Sequence, residues 1–223
     1  METIMTLKNW TPRPRPAGVT MPGRFGRLEP LDWKRHRDGL YAVAGGEVNA
    51  DLWRYMPLGP YLSPDALQRE FEATRAADGW ETLVIIGADD VIKGMVSFMR
   101  IREAQGSAEI GAVMFGHALQ RTALATEVLY MTARYLFDQL GYRRYEWKCN
   151  AANQSSVRAA QRFGFTYEGT FRNDMVMKDQ NRDTAWFSII DSEWPAIRAA
   201  YEAWLEPSNF DASGKQIFRL KTR

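Results

Sequence analysis

A chain of 223 residues is long enough for one sizeable domain and short for two, and 45% apolar with 25% charged residues is the balance of a globular protein rather than a disordered one. Lys plus Arg number 29 against 27 Asp plus Glu, so no charge excess calls for nucleic acid or an anionic membrane as partner. The single cysteine, Cys149, excludes a disulfide framework and a cysteine-built zinc site, and no run approaches the roughly 20 apolar residues that span a bilayer; the expectation is a soluble cytoplasmic protein without a metal.

Residues 1–23 carry Pro12, Pro14, Pro16 and Pro22 without periodicity and predict an extended arm ahead of a domain over 24–195, with 196–223 as a helix end and tail. Phe25–Leu31 alternates like a first strand. Asp32 then caps a helix from about Trp33 to Val43, stopped by Gly45 and Gly46. Leu52–Leu62 is aromatic and proline-rich, too irregular for a helix and too apolar for a plain surface loop, so it must cover something. Ser63 as cap and Pro64 at the first helical position open a helix to about Ala77.

Thr82–Gly87 and Val91–Arg100 read as a strand pair, and Ser107–Phe115 as a further strand. Leu124, Val128, Met131 and Tyr135 repeat at helical spacing and predict a helix over Leu124–Leu140. Arg144–Cys149 is a short strand and Asn153–Phe163 a helix capped by Asn153. Thr166–Met177 and Asp183–Ile190 predict an antiparallel hairpin, Asp191–Trp204 a last helix, and residues from Pro207 an irregular tail. The order gives an α/β (α+β) fold: a mixed, twisted sheet of about six to seven strands with helices on both faces. Around Leu119–Glu127, strand–helix–strand demands a parallel pair with a right-handed crossover.

The segment Leu119–Glu127, LQRTALATE, leaves a strand, turns through small residues and enters a helix. Such a turn points several backbone amides and the positive end of a helix dipole at one spot, which suits a phosphate. Neither a G-x-x-x-x-G-K-[ST] loop nor a strand-following G-x-G-x-x-G is present. Two carboxylates stand out as proton acceptors: Glu109, in the otherwise apolar SAEIGAV and on the face of Gly111 and Val113 by alternation, and Glu168, in TYEGT.

Gln120, Ala123 and Ala125 fit loosely the Q/R-x-x-G-x-G/A loop of acetyl-CoA-dependent N-acetyltransferases, with alanine in place of the first glycine. Further on, Asn153 to Ser156, Ala159, Ala160, Gly164, Phe165, Glu168 and Gly169 match an N-x-x-S…A-x-x-x-G-F…E-G run. Over roughly residues 20–195 the chain thereby resembles the GNAT superfamily, most closely the ribosomal-protein alanine N-acetyltransferase type. The resemblance implies transfer of an acetyl group from acetyl-CoA to a primary amine, on a peptide or a small molecule, by direct attack in a ternary complex. It also implies that the parallel strands splay apart to admit the coenzyme's pantetheine arm.

On that resemblance Val113, Met114 and Phe115 offer amides to the thioester carbonyl, and the backbone of Gln120, Arg121, Thr122, Ala123, Leu124, Ala125 and Thr126 meets the pyrophosphate. Asn153, Ser156 and Arg158 are further coenzyme contacts. Glu168 is favoured as base and Glu109 as orienting or relay carboxylate; the family's thiolate-protonating tyrosine is replaced by Ala160, and Cys149 is a substitute donor only as the alternative to a small packed residue. Trp53, Tyr55 and Tyr61 fall on the substrate-side loop, where an acceptor wall competes with a homodimer contact or a core lid. Trp147, Trp186 and Trp194 read as packing. Two other readings stay open: a binding module for acyl-CoA without turnover, and an acyltransferase for a longer acyl group.

Overall fold

Four side chains start four of the helices by accepting an early backbone amide, as N-caps do. Asp32 accepts from Lys34 at α1 (Trp33–Ala44), Ser63 from Ala66 at α2 (Pro64–Ala77), Thr122 from Ala125 at α3 (Ala123–Arg134) and Asn153 from Ser156 at α4 (Gln154–Arg162). The last helix, α5 (Trp194–Leu205), has Pro195 in its first turn. The computed structural model describes residues 7–222; the first six residues of the predicted arm and Arg223 lie outside them. Among the described residues no helix is long and apolar enough to cross a membrane.

The strands are β1 (Met21–Pro22), β2 (Gly26–Pro30), β3 (Glu81–Gly87), β4 (Ile92–Arg102), β5 (Ser107–Phe115), β6 (Arg144–Asn150), β7 (Thr166–Met177) and β8 (Gln180–Ile190). They form one sheet of eight strands in the order β1-β2-β3-β4-β5-β6-β8-β7. Two residues of the predicted arm supply the additional strand, pairing Met21 with Leu28. Every neighbouring pair is antiparallel except β5 and β6.

Each sheet face has its own core. Ala108, Ile110, Tyr145, Trp147 and Phe187 pack with α3 and α5, whose Trp194, Ile197, Tyr201 and Trp204 recur at helical spacing. On the other face, Val84, Met95 and Met114 meet Leu40 and Ala44 of α1 and Leu67 and Phe71 of α2. That second cover reaches only the first half of the sheet.

Helix α3 continues past Arg134 as a single wider turn over Tyr135–Gln139, where Leu140 donates to the Tyr135 carbonyl, so the predicted continuous helix to Leu140 is interrupted. Trp10 of the arm donates to the Ala104 carbonyl and lies against Gly106, and Tyr142 reaches the Pro14 carbonyl. At the other end, Asn209 is buried, Phe210 stacks edge-on with Phe25, and Leu220 is buried. The described part of the arm, at Trp10 and Pro14, and the tail, at Asn209, Phe210 and Leu220, are therefore packed against the domain.

Candidate active site

Strands β5 and β6 are paired over three positions only, Ser107 with Arg144, Ala108 with Tyr145 and Glu109 with Glu146. Beyond that last pair β5 runs six residues further and β6 four, without bonds between them. The sheet forks there. Glu109 and Glu146 stand side by side in the crotch, 4% and 1% exposed, on the face that α1 and α2 leave uncovered.

Past the crotch, β5 carries a bulge: Met95 opposes Met114 and Ser97 opposes Gly111, so three steps of β5 match two of β4. Ala112 takes up the extra residue at a left-handed φ of 45°. The slip reverses the alternation. Ala112 and Met114 face the α1/α2 core while Val113 and Phe115 face the other, so Glu109 and Val113 do not share a face as simple alternation predicts. The edge of β5 turned toward the gap carries backbone groups that β6 does not pair.

After Phe115 the chain makes the predicted turn. Gly116 donates to Lys93, Leu119 to Gly116 and Thr122 to Leu119, Arg121 is left-handed at φ 63°, and the Gln120 amide side chain donates to the Phe115 carbonyl. The first-turn amides of α3 at Ala123 and Leu124 have no intrahelical acceptor and point out of the helix start. The Ala125 amide is taken by Thr122 Oγ1, and the side chains of Leu124, Ala125 and Thr126 are buried, Thr126 accepting from Arg162. Ala123, which replaces the usual glycine, is helical and needs no glycine.

The two candidate carboxylates differ in surroundings. Glu168 is exposed and held by a bidentate pair from Arg144, at 2.7 and 2.5 Å, and by Ser188 at 2.7 Å; the Arg144 guanidinium keeps its carboxyl below the usual range. Glu109 is buried, and burial pushes its carboxyl above the usual range against the opposing pull of Lys148, 3.0 Å away, and Arg100, 3.8 Å away. Glu146 is pinned on one oxygen by Arg102 and Arg144, at 2.6 and 2.7 Å.

The second oxygens of Glu109 and Glu146 and the indole nitrogen of Trp186 are buried without a hydrogen-bond partner among the described residues. Lys148 lies close to Glu109 Oε2 as an ion pair, out of hydrogen-bond alignment. Lys148 and Arg100 both sit over the Trp186 ring, 5.0 and 5.3 Å from its centre. A Cβ at Gly111 would stand 2.3 Å from Met99 Sδ and 3.0 Å from Glu109 Oε1, so glycine leaves room beside the crotch.

Other predicted residues are placed differently. Trp53 and Tyr61 are core rather than acceptor wall: both are buried, packed edge-on at 4.9 Å, with Trp53 donating to the Ala44 carbonyl. Tyr55 stays half-buried on the same segment, beneath Arg54. Cys149 is buried on the α4 side, its thiol pushed up by burial, and Ser156 is occupied by the Trp147 indole. Asn153 uses its side-chain oxygen as the α4 cap, and Arg158 is exposed beside Ser155.

Glu146 and Lys148 were not singled out by the sequence reading, and Trp186 was read as packing alone. The signal for Glu146 and Lys148 is the alternation in RYEWKC, whose Arg144, Glu146 and Lys148 share one face of a central strand. The β7–β8 hairpin bends over this face, its Lys178 ammonium donating to the carbonyls of Trp53 and Leu58. A wide bulge at Arg172–Asp174, with Asn173 left-handed, allows the bend.

This geometry has close relatives. A GCN5-related N-acetyltransferase from Brucella melitensis superposes with a TM-score of 0.92 at 43% identity, covering 96% of this chain and 97% of that one. A spermidine N-acetyltransferase from Vibrio cholerae, solved with CoA and spermine, shares the fold alone: TM-score 0.61 at 19% identity over 74% of this chain and 95% of that one. In sequence, the ribosomal-protein-serine acetyltransferase of Escherichia coli (strain K12) is 28% identical over 116 residues, 52% of this chain. The chain spans 64% and 57% of the lengths of the curated relatives it matches. The acetyltransferase (GNAT) domain matches residues 27–166, which include the forked pair, the bulge and the turn into α3, and with that match the chain belongs to the GNAT family.

Proposed function

We propose that this protein transfers an acetyl group from acetyl-CoA to a primary amine by direct attack, with Glu109 as the proton acceptor. The observation that carries the reading is the pair of buried carboxylates at the last bonded position of the forked strands. The coenzyme, when bound, supplies an activated thioester. The free amides of Ala123 and Leu124, with the turn at Gln120–Thr122, suit its pyrophosphate, and the unpaired edge of β5 around Val113–Phe115 suits a carbonyl oxygen. Asn153 and Arg158 lie on the α4 side, where they can add contacts.

An amine is protonated at neutral pH, with reference values near ~8 for an α-amino group and ~10.4 for a lysine-like one. Glu109 can take the proton, directly or through a water that also reaches the unpartnered oxygen of Glu146. Its raised affinity for protons matches that task. Glu168 is better suited to holding Arg144, which in turn pins Glu146. Cys149 remains a thiol at neutral pH and is the candidate proton donor on the leaving-group side.

Thiol release from acetyl-CoA with a panel of amines tests the reading. Release that depends on the amine supports it; tight coenzyme binding without release for any amine would instead mark a binding module. Faster release from succinyl- or longer acyl-CoA would move the acyl preference away from acetyl.

A further inference from the structure

Lys148 is the one lysine on the two forked strands, and its side chain is 17% exposed. It stands two residues past Glu146 on the same face of β6, in the stretch that β5 does not pair. Counted from the bonded pair of Glu109 and Glu146, Lys148 is level with Gly111, two residues from Glu109 on one side and two from Val113 on the other, or roughly 7 Å along the strand each way. Its four-carbon stem turns back across the opening, so that Nζ lies 3.0 Å from Glu109 Oε2 without an aligned hydrogen bond and 5.0 Å from the centre of the Trp186 ring. The other described lysines are away from the fork: Lys178 donates to the Trp53 and Leu58 carbonyls, Lys93 pairs with Asp89, and Lys8, Lys34, Lys215 and Lys221 are exposed.

A primary amine therefore stands at the proton acceptor before any substrate arrives. The two buried carboxylates differ in this respect. Glu146 is held by Arg102 and Arg144, whose guanidinium groups do not give up a proton in proteins, whereas the nearer cation at Glu109 is a lysine, which can. An ammonium kept in place by charge and a ring face, on a flexible stem, can turn from Glu109 toward an acyl carbon whose oxygen sits at Val113–Phe115.

We propose that Lys148 is an acetylation site of the protein itself, taking the acetyl group when acetyl-CoA is bound and no acceptor is present; this rests on the acetyl-transfer reading above. Glu109 accepts one proton from the ammonium and passes it to solvent. The freed nitrogen pair forms the N–C bond to the thioester carbonyl, the C–S bond breaks, and the second proton lost by the nitrogen goes to the departing thiolate, which leaves as coenzyme A. Nothing is oxidised or reduced. The amide that forms carries no charge, so Glu109 loses the nearer of its two cations. Facing Glu109 are Arg100 of β4 and Lys148 and Glu146 of β6, with Arg102 and Arg144 engaged by Glu146, and the uncharged Trp186 and Ser188 of β8. With Lys148 neutralised, burial is opposed by Arg100 alone at 3.8 Å, so the carboxyl holds its proton to a higher pH and the acid limb of turnover moves up. Self-acetylation thus damps a chain left idle with its acetyl donor.

Wild-type protein incubated with acetyl-CoA and no amine should release one thiol per chain in a burst and then stop, gaining the mass of one acetyl group that peptide mapping places on Lys148. Lys148→Arg, which keeps the charge, should lose the burst, and Glu109→Gln should slow it by about 10²–10⁴. A chain purified with the group already on Lys148, where Glu109→Gln purified alike lacks it, supports the assignment equally. With an amine that the protein accepts, Lys148→Gln and the acetylated wild type should share an acid limb displaced upward from that of the unmodified protein. If Lys148→Arg fails to fold, mapping on the wild type still decides. No acetyl group on Lys148, or no more there than on exposed Lys34 and Lys215, while amines still release thiol, overturns the Lys148 assignment alone; no release with any amine overturns the reading beneath it.

Discussion

Glu109→Gln removes a proton acceptor while keeping the side chain's volume between Lys148, 3.0 Å away, and Arg100, 3.8 Å away. General-base assistance is worth about 10²–10⁴ in rate, or roughly 2.7–5.5 kcal/mol of barrier at about 1.36 kcal/mol per decade. The loss should fall in kcat, because the amides that suit the coenzyme are remote from the carboxylate. The pH dependence gives a second signature. Burial raises the folded-state affinity of Glu109 for protons, so the active carboxylate form is lost as pH falls through a value above the ordinary ~4.3 of glutamate. Stopped thiol-release assays, corrected for the fraction of free amine, should show that acid limb in the wild type and lack it in Glu109→Gln. Glu168→Gln, by contrast, removes an exposed ion pair of a kind worth about 0–1 kcal/mol, and turnover should stay within about threefold. A hundredfold loss in Glu168→Gln with near-normal Glu109→Gln would refute the assignment and return the base to Glu168.

Three further changes test the frame around the site. Ala123→Gly should leave coenzyme affinity by calorimetry within about threefold, because the position is helical and glycine offers only an entropic cost of about 0.5–1 kcal/mol. Glu127→Ala strips the acceptor from the Arg24 and Phe25 amides, bonded at 2.6 and 2.8 Å; with two part-buried donors unpaired at about 1–3 kcal/mol each, urea unfolding should show a loss of roughly 2–6 kcal/mol. Gly59→Ala places a methyl 2.5 Å from the Trp53 ring at a left-handed φ of 63°, and overpacking of this kind costs typically about 1–3 kcal/mol, read as a lower thermal midpoint.

The sequence carried local order well because its signals were local. Asp32, Ser63 and Asn153 cap the helices that their positions predict, and α2 runs from Pro64 to Ala77 as its cap and its Asp78–Gly79 stop imply. Strand β5 keeps its predicted limits. What periodicity could not carry is the bulge at Ala112, since an extra residue in β5 is visible only against the register of β4. The wide turn at Tyr135–Gln139 is equally silent, because its side chains keep to an apolar face whether the backbone repeats every four residues or five.

The same distinction explains the site. Aromatic residues at Trp53 and Tyr61 advertise contact, but a sequence does not say whether the contact is with a ligand or with the protein; here a donor bond to Ala44 and an edge-on ring pair fill the core. Charged residues within a central strand are more informative, because burying them is costly unless something answers them. Glu168 is answered by a bidentate pair from Arg144 and by Ser188, which hold its carboxyl below the usual range. Glu109 and Glu146 are answered less fully: Lys148 and Arg100 approach Glu109 Oε2 as ion pairs without an aligned hydrogen bond, and Arg102 and Arg144 hold one oxygen of Glu146 and leave the other without a partner among the described residues. Incomplete pairing therefore singles out the fork, where a proton acceptor is called for, over the fully paired surface carboxylate at Glu168.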